Sequence, residues 1–350
     1  MSTNADVLIV GGGIAGVSLA GRLANSLAGK ARVILLERED ELQYHATRRS
    51  AAVFIESYGT TDQVRAWNRE SRPFFEKPSQ PFQELVKPRP VLYVARGKNV
   101  GELDKLLAQS PHLVHEITPD EALKRMPVIR PGVFARFAEE ASAMDIDVAR
   151  LFQGFWSIAD KGGVEMLTRH EVTSLSHGSA GWTAATRHGD FTAPILVNAA
   201  GGWAGKIGLM AGLGDRGLVP KRRTMMTFDP GIAVPSGTLV NDMGGRFYFK
   251  CDAGIVTWSR ADQTRVEPSD VQPEESTISI IAERVKKVTT MEVKSIQKSW
   301  AGLRTFTPSE APVVEFDRDG FFWLAGQGGF GIQTSPALSA HAAALITERL

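Results

Sequence analysis

The sequence has only one cysteine and almost no net charge, and each of these features excludes a class of protein. A single cysteine, Cys251, leaves no partner for a disulfide within the chain and too few thiolates for a multi-cysteine zinc or iron–sulfur site. The 40 lysines and arginines almost balance the 39 aspartates and glutamates, so the net charge is +1. A general nucleic-acid binder usually carries a clear basic excess. We therefore expect no nucleic-acid partner, no bound metal and a reducing compartment, the cytoplasm.

Uninterrupted hydrophobic runs of bilayer length are also missing. Residues 321–347 carry no Asp, Glu, Lys or Arg, but several glycines and Pro336 interrupt the stretch. Such a segment would leave backbone polar groups unpaired in lipid. We expect no integral membrane span. At 350 residues, 43% hydrophobic and 23% charged, the composition is that of a globular protein with one composite fold or two domains.

The N-terminal segment has the order strand, glycine turn, helix, strand, acid. Residues 6–10 form an apolar run typical of a strand buried on both faces. The glycine turn at residues 11–16 leads into a helical pattern at residues 17–24, and a second apolar run at residues 32–36 ends at Glu37. This order predicts a dinucleotide-binding unit.

Each part of that unit has a physical role in binding a dinucleotide. Gly11 permits the tight turn, Gly13 lets the backbone approach a pyrophosphate, and Gly16 lets the helix pack closely on the strand. Ile14 and Ala15 lie at the helix N-terminus, where free N–H groups favour phosphate. Glu37 would accept hydrogen bonds from a ribose diol and repel a 2′-phosphate. The unit favours FAD or NAD over NADP, but it does not separate FAD from NAD.

Two further strands run into glycine turns. Residues 194–199 precede a turn at residues 200–203, and residues 320–325 precede a turn at residues 326–331, which leads into a helix at residues 335–350. In a parallel sheet such turns meet at the carboxyl ends of the strands, where ligands bind. Three cradles suit a long cofactor. Each turn taken by itself also has an explanation without a ligand. The turn at residues 200–203 fits simple strand-to-helix packing, and the turn at residues 326–331 fits a flexible loop.

These motifs together resemble the FAD-dependent D-amino-acid oxidases and dehydrogenases. Within that family the likeness is nearest to the bacterial D-arginine dehydrogenases, and it runs over almost the whole chain. The segments that carry it, besides the N-terminal turn and Glu37, are residues 44–52, 197–203, 300–304 and 327–335.

The resemblance implies an α/β fold in which a Rossmann-like FAD-binding domain is interleaved with an α+β substrate domain on a mixed sheet. Residues 1–60, 140–215 and 296–350 would form the FAD-binding domain. Residues 61–139 and 216–295 would form the substrate domain, which contains strand-like runs at residues 91–94 and 246–249. The substrate pocket would lie between the two domains.

The resemblance also implies which residues bind FAD, held noncovalently because Cys251 matches no attachment motif of the relatives. Besides Gly11, Gly13, Ile14, Ala15, Gly16 and Glu37, the implied cofactor contacts are Arg38, Arg49, Ser50, Ala51, Val172, Ala200, Gly201, Trp203, Gly328, Gly329, Gly331, Ile332, Gln333 and Thr334.

The implied activity is oxidative deamination of an amino acid. A hydride passes from the α-carbon to flavin N5, and the imino acid hydrolyses to a 2-oxo acid and ammonia. By the resemblance, Arg304 and Arg223 bind the substrate carboxylate, for which the planar guanidinium is well suited. Tyr58 and Tyr248 would line the pocket.

The local patterns weigh these four residues differently. Arg304 lies in an apolar context where an unpartnered charge is costly. Arg223 ends the charge run at residues 221–223, which on local sequence alone is typical of a solvated face. Tyr248 alternates with two phenylalanines, a pattern that fits core packing and the pocket equally well.

Three positions depart from the relatives. Val91 and Val53 replace a glutamate and a histidine of the D-arginine dehydrogenase pocket, so a cationic side chain would lose polar partners. We therefore predict a preference for neutral or apolar side chains. Arg48 replaces a glycine beside the cofactor loop.

Other functions stay open at this point. A glycine or sarcosine-type secondary-amine oxidase belongs to the same class. A noncatalytic nucleotide-binding redox sensor and an NAD-dependent dehydrogenase belong to others. The substrate partner would be a small amino acid, and either oxygen or a quinone or dye could accept the electrons.

Overall fold

The helices are distributed along the whole chain. The computed structural model describes residues 2–350, and these contain eight α-helices: α1 (Ile14–Leu27), α2 (Asp62–Glu76), α3 (Val100–Gln109), α4 (Pro119–Arg125), α5 (Val148–Lys161), α6 (Ala204–Met210), α7 (Glu275–Val288) and α8 (Gly331–Arg349).

The strands form four sheets. In chain order they are β1 (Thr3–Asn4), β2 (Val7–Val10), β3 (Val33–Leu36), β4 (Val53–Phe54), β5 (Val86–Pro88), β6 (Val91–Ala95), β7 (His115–Ile117), β8 (Arg136–Glu140), β9 (Met144–Ile146), β10 (Glu165–Leu167), β11 (Ser174–Gly178), β12 (Gly181–Thr186), β13 (Gly189–Ala193), β14 (Ile195–Asn198), β15 (Val219–Asp229), β16 (Leu239–Asp242), β17 (Tyr248–Asp252), β18 (Ile255–Ser259), β19 (Thr264–Arg265), β20 (Ser295–Phe306), β21 (Val313–Phe316) and β22 (Phe321–Ala325).

A six-stranded sheet forms the N-terminal unit, in the order β10-β3-β2-β14-β22-β21. All neighbours are parallel except β21 and β22. Strands β2, β3, β14 and β22 are buried along their whole length. Such strands need cover on both faces. Helices α1, α5 and α8 contribute to the core on one face, and the β11–β13 meander contributes to the core on the other. The predicted α/β class is confirmed.

The local predictions for this unit match the structure closely. The buried runs form β2, β3, β14 and β22, and each glycine turn follows the carboxyl end of a strand. Helix α5 begins after Asp147, whose side chain accepts a hydrogen bond from the Arg150 N–H at 2.9 Å and so caps the helix.

A nine-stranded mixed sheet forms the second unit, and it changes one predicted boundary. Strand β20 pairs with β15 from Ser295 to Phe306, along its whole length. Residues 296–306 therefore belong to this sheet and not to the FAD-binding unit, where the sequence motifs had placed them. The reason is the ladder itself, which satisfies the backbone polar groups of β20.

The predicted boundary at residue 61 also changes. Helix α2 packs against α8, and Phe75, Phe82 and Leu85 lie in the same core as α1 and α5. Residues 62–85 thus complete the core of the N-terminal unit. Phe74 and Phe82 of this stretch form an aromatic cluster with Phe155 of α5.

No helix within residues 2–350 combines the length and apolar character that crossing a membrane requires.

Candidate cofactor cleft and active site

A cleft of about 480 Å³ opens at the carboxyl ends of β2, β14 and β22 and continues to β15, β17 and β20. It therefore joins the two units, at the edge of a parallel sheet where ligands commonly bind. Of the residues predicted to bind the cofactor, those that line it are Gly11, Gly13, Ile14, Ala15, Glu37, Arg38, Arg49, Ser50, Ala51, Val172, Ala200, Gly201, Trp203, Gly328, Gly329, Gly331 and Ile332.

The first glycine turn presents backbone to the cleft. Gly11 has φ = +115°, a conformation that side chains of L-residues rarely adopt. The N-cap of α1 is Gly13, which has no side chain of its own to cap the helix, and Gly13, Ile14 and Ala15 line the cleft. The N-terminal dipole of α1 therefore faces the cleft, as a pyrophosphate site requires. Thr47 supports the turn, since its Oγ1 accepts a hydrogen bond from the Ile14 N–H at 3.0 Å. Sequence reasoning did not single out Thr47.

Glu37 lies at the end of β3, buried against the turn. Its carboxylate accepts hydrogen bonds from the Gly12 N–H at 2.7 Å and the Glu39 N–H at 2.9 Å. Burial raises the pKa of Glu37, although these two backbone donors oppose the rise. The remaining acceptor capacity of its oxygens can serve a ribose diol.

An aromatic and cationic cluster lines the wall next to Glu37. The Arg38 guanidinium lies 4.7 Å from the centroid of the Trp203 indole, and the His45 ring lies 4.6 Å from the same group. The Nε2 atom of His45 is 2.9 Å from the Glu39 carboxylate. His45 is thus engaged in this wall.

Arg49 connects the cofactor loop to the second unit. Its guanidinium donates to the Ala301 carbonyl at 3.0 Å and to Asp270 at 2.6 Å, and the Trp300 indole donates to the Arg49 carbonyl at 3.1 Å. Arg48, by contrast, pairs with Glu41 at the exposed surface. Arg48 is not among the residues that line the cleft.

The C-terminal glycines lie beside an arginine. A Cβ atom placed on Gly329 would be 2.8 Å from Nη1 of Arg304 and 3.4 Å from the Tyr58 hydroxyl. Any larger residue would displace one of these groups. Helix α8 starts at Gly331, and no side chain of the described residues caps it, so its N-terminus also faces the cleft.

Three residues predicted to contact the cofactor do not line the cleft. Gly16 packs against the Gly11 backbone, which is its predicted packing role. The side chain of Gln333 is buried against Ile55 and Asn68, and the Thr334 hydroxyl donates to the Phe330 carbonyl at 2.9 Å. The helical period explains the correction, since residues 333 and 334 lie off the cleft face of α8. The residues of α8 on that face, some of which sequence reasoning missed, are Gly331, Ile332, Ser335, Leu338 and Ser339.

Arg304 and Arg223 meet at the far end of the cleft. They lie on the paired strands β20 and β15, and both line the cavity. Arg223 is only 8% exposed, so the alternative of a solvated face is wrong for it. Alternation along β15 separates it from Arg222, whose guanidinium is 3.7 Å from Asp262 and 9% exposed.

The two predicted tyrosines lie beside these arginines. Tyr248 lines the cleft, 5.8 Å from its ring centroid to the Arg223 guanidinium carbon, and its hydroxyl is 3.2 Å from the Met225 sulfur. Tyr58, also predicted to line the pocket, is not among the residues that line the cleft; it is 37% exposed, and its ring lies 4.9 Å from that of Phe330. The pattern around Tyr248 could not decide between core and pocket, and the structure places it in the pocket.

This end of the cleft is electropositive. Among the described residues, no carboxylate forms an ion pair with Arg223 or Arg304. Burial and the charge of Arg304 lower the pKa of Arg223. Burial by itself would raise the pKa of Tyr248, but the guanidiniums of Arg304 and Arg223 outweigh it and hold the pKa below its ordinary value. The charge of Asp262 offsets part of this positive potential, and an anionic ligand bound between the two guanidiniums would offset more of it.

Val53 and Val91 do not line the cleft. Both pack in an apolar cluster that also contacts Tyr248, and Val91 is fully buried. The positions predicted to govern substrate choice therefore form part of the support behind the Tyr248 wall.

The parallel sheet, the glycine turn and the cleft between the two units have the features of a dinucleotide-binding protein. The chain belongs to the family described as FAD dependent oxidoreductase, whose model matches residues 6–345. FAD is accordingly the cofactor, which decides between the two dinucleotides that the glycine turn left open.

Comparison with solved structures gives the same fold over almost the full chain. Glycine oxidase from Geobacillus kaustophilus superposes with a TM-score of 0.84 at 20% identity, covering 99% of this chain and 95% of that one. L-proline dehydrogenase from P. horikoshii also has a TM-score of 0.84 at 20% identity, covering 100% and 95%.

A curated relative is more similar in sequence but much longer. Mitochondrial dimethylglycine dehydrogenase from Rattus norvegicus is 29% identical in an alignment of 231 positions that covers 62% of this chain. The match spans about a quarter of that relative, 25% of its length.

The residues present fit FAD. The helix N-terminus at Gly13 suits the pyrophosphate, and Glu37 suits the ribose. Gly329 and the start of α8 leave room and positive dipole for the ring system next to Arg304. One cleft thus extends from the glycine turn at Gly13 to Arg304.

Proposed function

We propose that this protein oxidises the carbon–nitrogen bond of a small amino acid or amino-acid-like amine. The observation that carries the proposal is the pair of Arg223, which is buried, and Arg304, which is partly exposed, at the end of the cofactor cleft. Two guanidiniums without a protein carboxylate are matched to an anionic ligand. The start of α8 adjoins them, so a bound carboxylate would hold its neighbouring carbon close to the cofactor site.

The names of the similar proteins support this substrate class. Glycine, L-proline and dimethylglycine each have an amine nitrogen on the carbon next to a carboxylate. They differ in substitution at nitrogen and in the side chain. What they share is the pair of groups that this cleft could hold.

In the proposed reaction the protein's part is chiefly to bind and orient the substrate. FAD, when bound, would accept a hydride from the amine-bearing carbon, and water would then hydrolyse the released imine to a 2-oxo acid and ammonia. Arg304 and Arg223 would hold the carboxylate, with the hydroxyls of Tyr58 and Tyr248 beside it. Noncovalent FAD is expected because Cys251 is buried in the core of the second unit, away from the cleft.

Within this class, we propose D-amino acids with neutral or apolar side chains. The D configuration rests on the family resemblance. The side-chain preference rests on Val53 and Val91, which pack in the apolar cluster behind Tyr248 and do not line the cleft themselves. The final electron acceptor, oxygen or a quinone or dye, and a cytoplasmic location stay predictions.

A glycine or sarcosine-type secondary-amine oxidase is the second candidate. The secondary amine of L-proline and the tertiary amine of dimethylglycine, in the names of two similar proteins, favour it. It would use the same arginine pair, so only the substrate separates the two candidates.

The test is anaerobic mixing of the FAD-loaded protein with a panel of amines while the flavin absorbance is followed. The panel contains the D and L forms of Leu, Phe, Met, Arg and Pro, together with glycine, sarcosine and dimethylglycine. Bleaching by D-Leu, D-Phe or D-Met ahead of D-Arg supports the first candidate. Faster bleaching by sarcosine or dimethylglycine supports the second. No bleaching by any member contradicts the proposal.

Arg304→Ala checks the site itself. We expect FAD to stay bound and the apparent second-order rate of bleaching to fall by roughly a hundredfold or more, because a buried charged contact is worth about 2 to 5 kcal/mol. Arg304→Lys, which keeps the charge but loses the planar fork, should recover part of that rate. Unchanged bleaching in Arg304→Ala would place the carboxylate elsewhere.

A further inference from the structure

The segment that carries Tyr58 is held by side chains. Residues 55–58 connect β4 to the loop before α2 and have no partner strand among the described residues. Their backbone polar groups still need partners when buried. The partners are the buried polar residues Asn68, Glu140 and Gln333, whose carboxylate and amide groups reach the segment from two sides.

Asn68 and Gln333 hold the segment from the side of the cofactor unit. The Asn68 Nδ2 donates to the Tyr58 carbonyl at 2.6 Å and to the Glu56 carbonyl at 3.2 Å. The Gln333 Oε1 accepts from the Ile55 N–H at 3.1 Å, and its Nε2 donates to Asn68 Oδ1 at 2.7 Å. The two amides therefore act as one connected unit between α2 and α8.

Glu140 holds the segment from the side of the nine-stranded sheet. Its Oε1 accepts from the Glu56 N–H at 2.9 Å and from the Ser57 N–H at 3.4 Å. Its Oε2 accepts from the Ser57 hydroxyl and from the Tyr93 hydroxyl, the latter at 3.1 Å. Glu140 is fully buried, and burial raises its pKa while these donors counteract the rise.

These contacts come from both units and hold the backbone segment that carries the Tyr58 side chain. Gln333 follows Ile332, which lines the cleft, and Glu140 ends β8 of the substrate sheet. The Tyr58 hydroxyl and Arg304 both lie within 3.4 Å of the position that a Cβ on Gly329 would occupy. A shift of residues 55–58 would thus change the distance between this hydroxyl and the guanidinium.

We infer that Asn68, Glu140 and Gln333 are positioning residues, which set the Tyr58 hydroxyl against Arg304 so that both bind one substrate carboxylate. This inference rests on the proposed function. It gives Gln333 a role different from the cofactor contact predicted from the sequence. The Gln333 amide, which belongs to α8, fixes the backbone of residues 55–58 relative to that helix through its hydrogen bonds to Ile55 and Asn68.

A double-mutant cycle with a carboxylate probe tests the inference. The FAD-loaded wild type, Asn68→Ala, Tyr58→Phe and the double variant are titrated with acetate, and the Kd is read from the change in flavin absorbance. We expect each single variant to weaken acetate binding by roughly tenfold and the double variant to be no weaker than Tyr58→Phe, because the two changes remove one interaction. Additive losses would overturn the inference.

Glu140→Gln provides an independent arm from the other side of the segment. It keeps the size of the side chain but places an amide where donors point, so acetate binding should again weaken only when Tyr58 is present. The matched control is Asp242→Asn, a buried carboxylate of the same sheet that accepts from the Arg246 N–H at 3.1 Å away from the cleft. This control should bind acetate like the wild type.

Loss of cofactor and failure of the proposed function give distinct results. If Asn68→Ala does not retain FAD, Ser57→Ala, which removes a single hydroxyl from the network, takes its place in the same cycle. If neither acetate nor any member of the amine panel changes the flavin absorbance of the wild type, the result contradicts both the proposed function and the inference. If it responds and the cycle is additive, only the positioning role falls.

Discussion

The nucleotide end and the substrate end of the cleft are built in opposite ways. The proposed nucleotide end comes largely from one continuous stretch, from Gly11 to Glu37, in which backbone N–H groups and a strand-end carboxylate would provide the binding groups. The substrate end collects Tyr58, Arg223, Tyr248 and Arg304 from four distant segments. Local geometry fixes the first site, whereas packing between two units fixes the second. We therefore expect the first site to be sensitive to substitutions that alter the local backbone, and the second to be sensitive to substitutions in several segments that are distant in sequence.

Gly11→Val should have the largest effect and act on the nucleotide end alone. The substitution combines a strained φ of +115° with a clash against the backbone of Ala199 and Ala200. We expect the purified variant to retain no FAD, as measured by absorbance of the released flavin. Gly101→Val, on the exposed side of α3 with open space around it, is the control and should retain FAD. A yellow Gly11→Val protein would contradict a tight backbone cradle.

Arg223→Ala should separate the two ends. Because Arg223 is buried in the substrate end, we expect FAD to stay bound while acetate affinity falls by roughly thirty- to a hundredfold, in line with a lost charge-assisted contact of about 2 to 3 kcal/mol. The control is Lys221→Ala on the same strand, whose ammonium lies 4.6 Å from the Phe306 ring centroid and does not line the cleft. Equal losses in the two variants would indicate a general effect of charge.

Tyr248→Phe should change the pH dependence of the substrate end. The pKa of Tyr248 lies below its ordinary value because Arg304 and Arg223 outweigh the effect of burial. Above that pKa, the tyrosinate places a negative charge where the carboxylate binds, so the acetate Kd should rise with pH. Acetate itself stays ionised over this range. In Tyr248→Phe the rise should move to higher pH, and an identical alkaline limb would assign the titration to another group.

Thr47→Val should have the smallest effect and return to the nucleotide end. It removes the hydroxyl that accepts from the Ile14 N–H, which we expect to cost about 1 kcal/mol and to weaken FAD binding roughly fivefold. Thr47→Ser keeps the acceptor and should bind FAD like the wild type. The measurement is the FAD concentration that restores half of the flavin signal to apoprotein, and a value unchanged in Thr47→Val would show that the turn holds its shape unaided.

The family resemblance anticipated more of the site than local patterns did. Local pattern alone left Tyr248 undecided and made Arg223 a solvated residue, and the structure places both in the cleft. The local sequence pattern could not indicate Thr47, because a single threonine in a loop is not part of any periodic pattern. Gln333 and Thr334 were assigned to the cofactor by motif, yet their side chains are turned off the cleft by the period of α8.

The residue order alone determined the parts whose partners are near in the chain: the buried strands, the glycine turns, the acid at Glu37 and hence a dinucleotide site. Folding in three dimensions determined which unit β20 and α2 join, the burial of Arg223, and the link from Gln333 through Asn68 to Tyr58. The physical reason is range. Backbone conformation and hydrophobic period act over a few residues, whereas strand pairing, charge burial and side-chain networks depend on contacts between segments hundreds of residues apart.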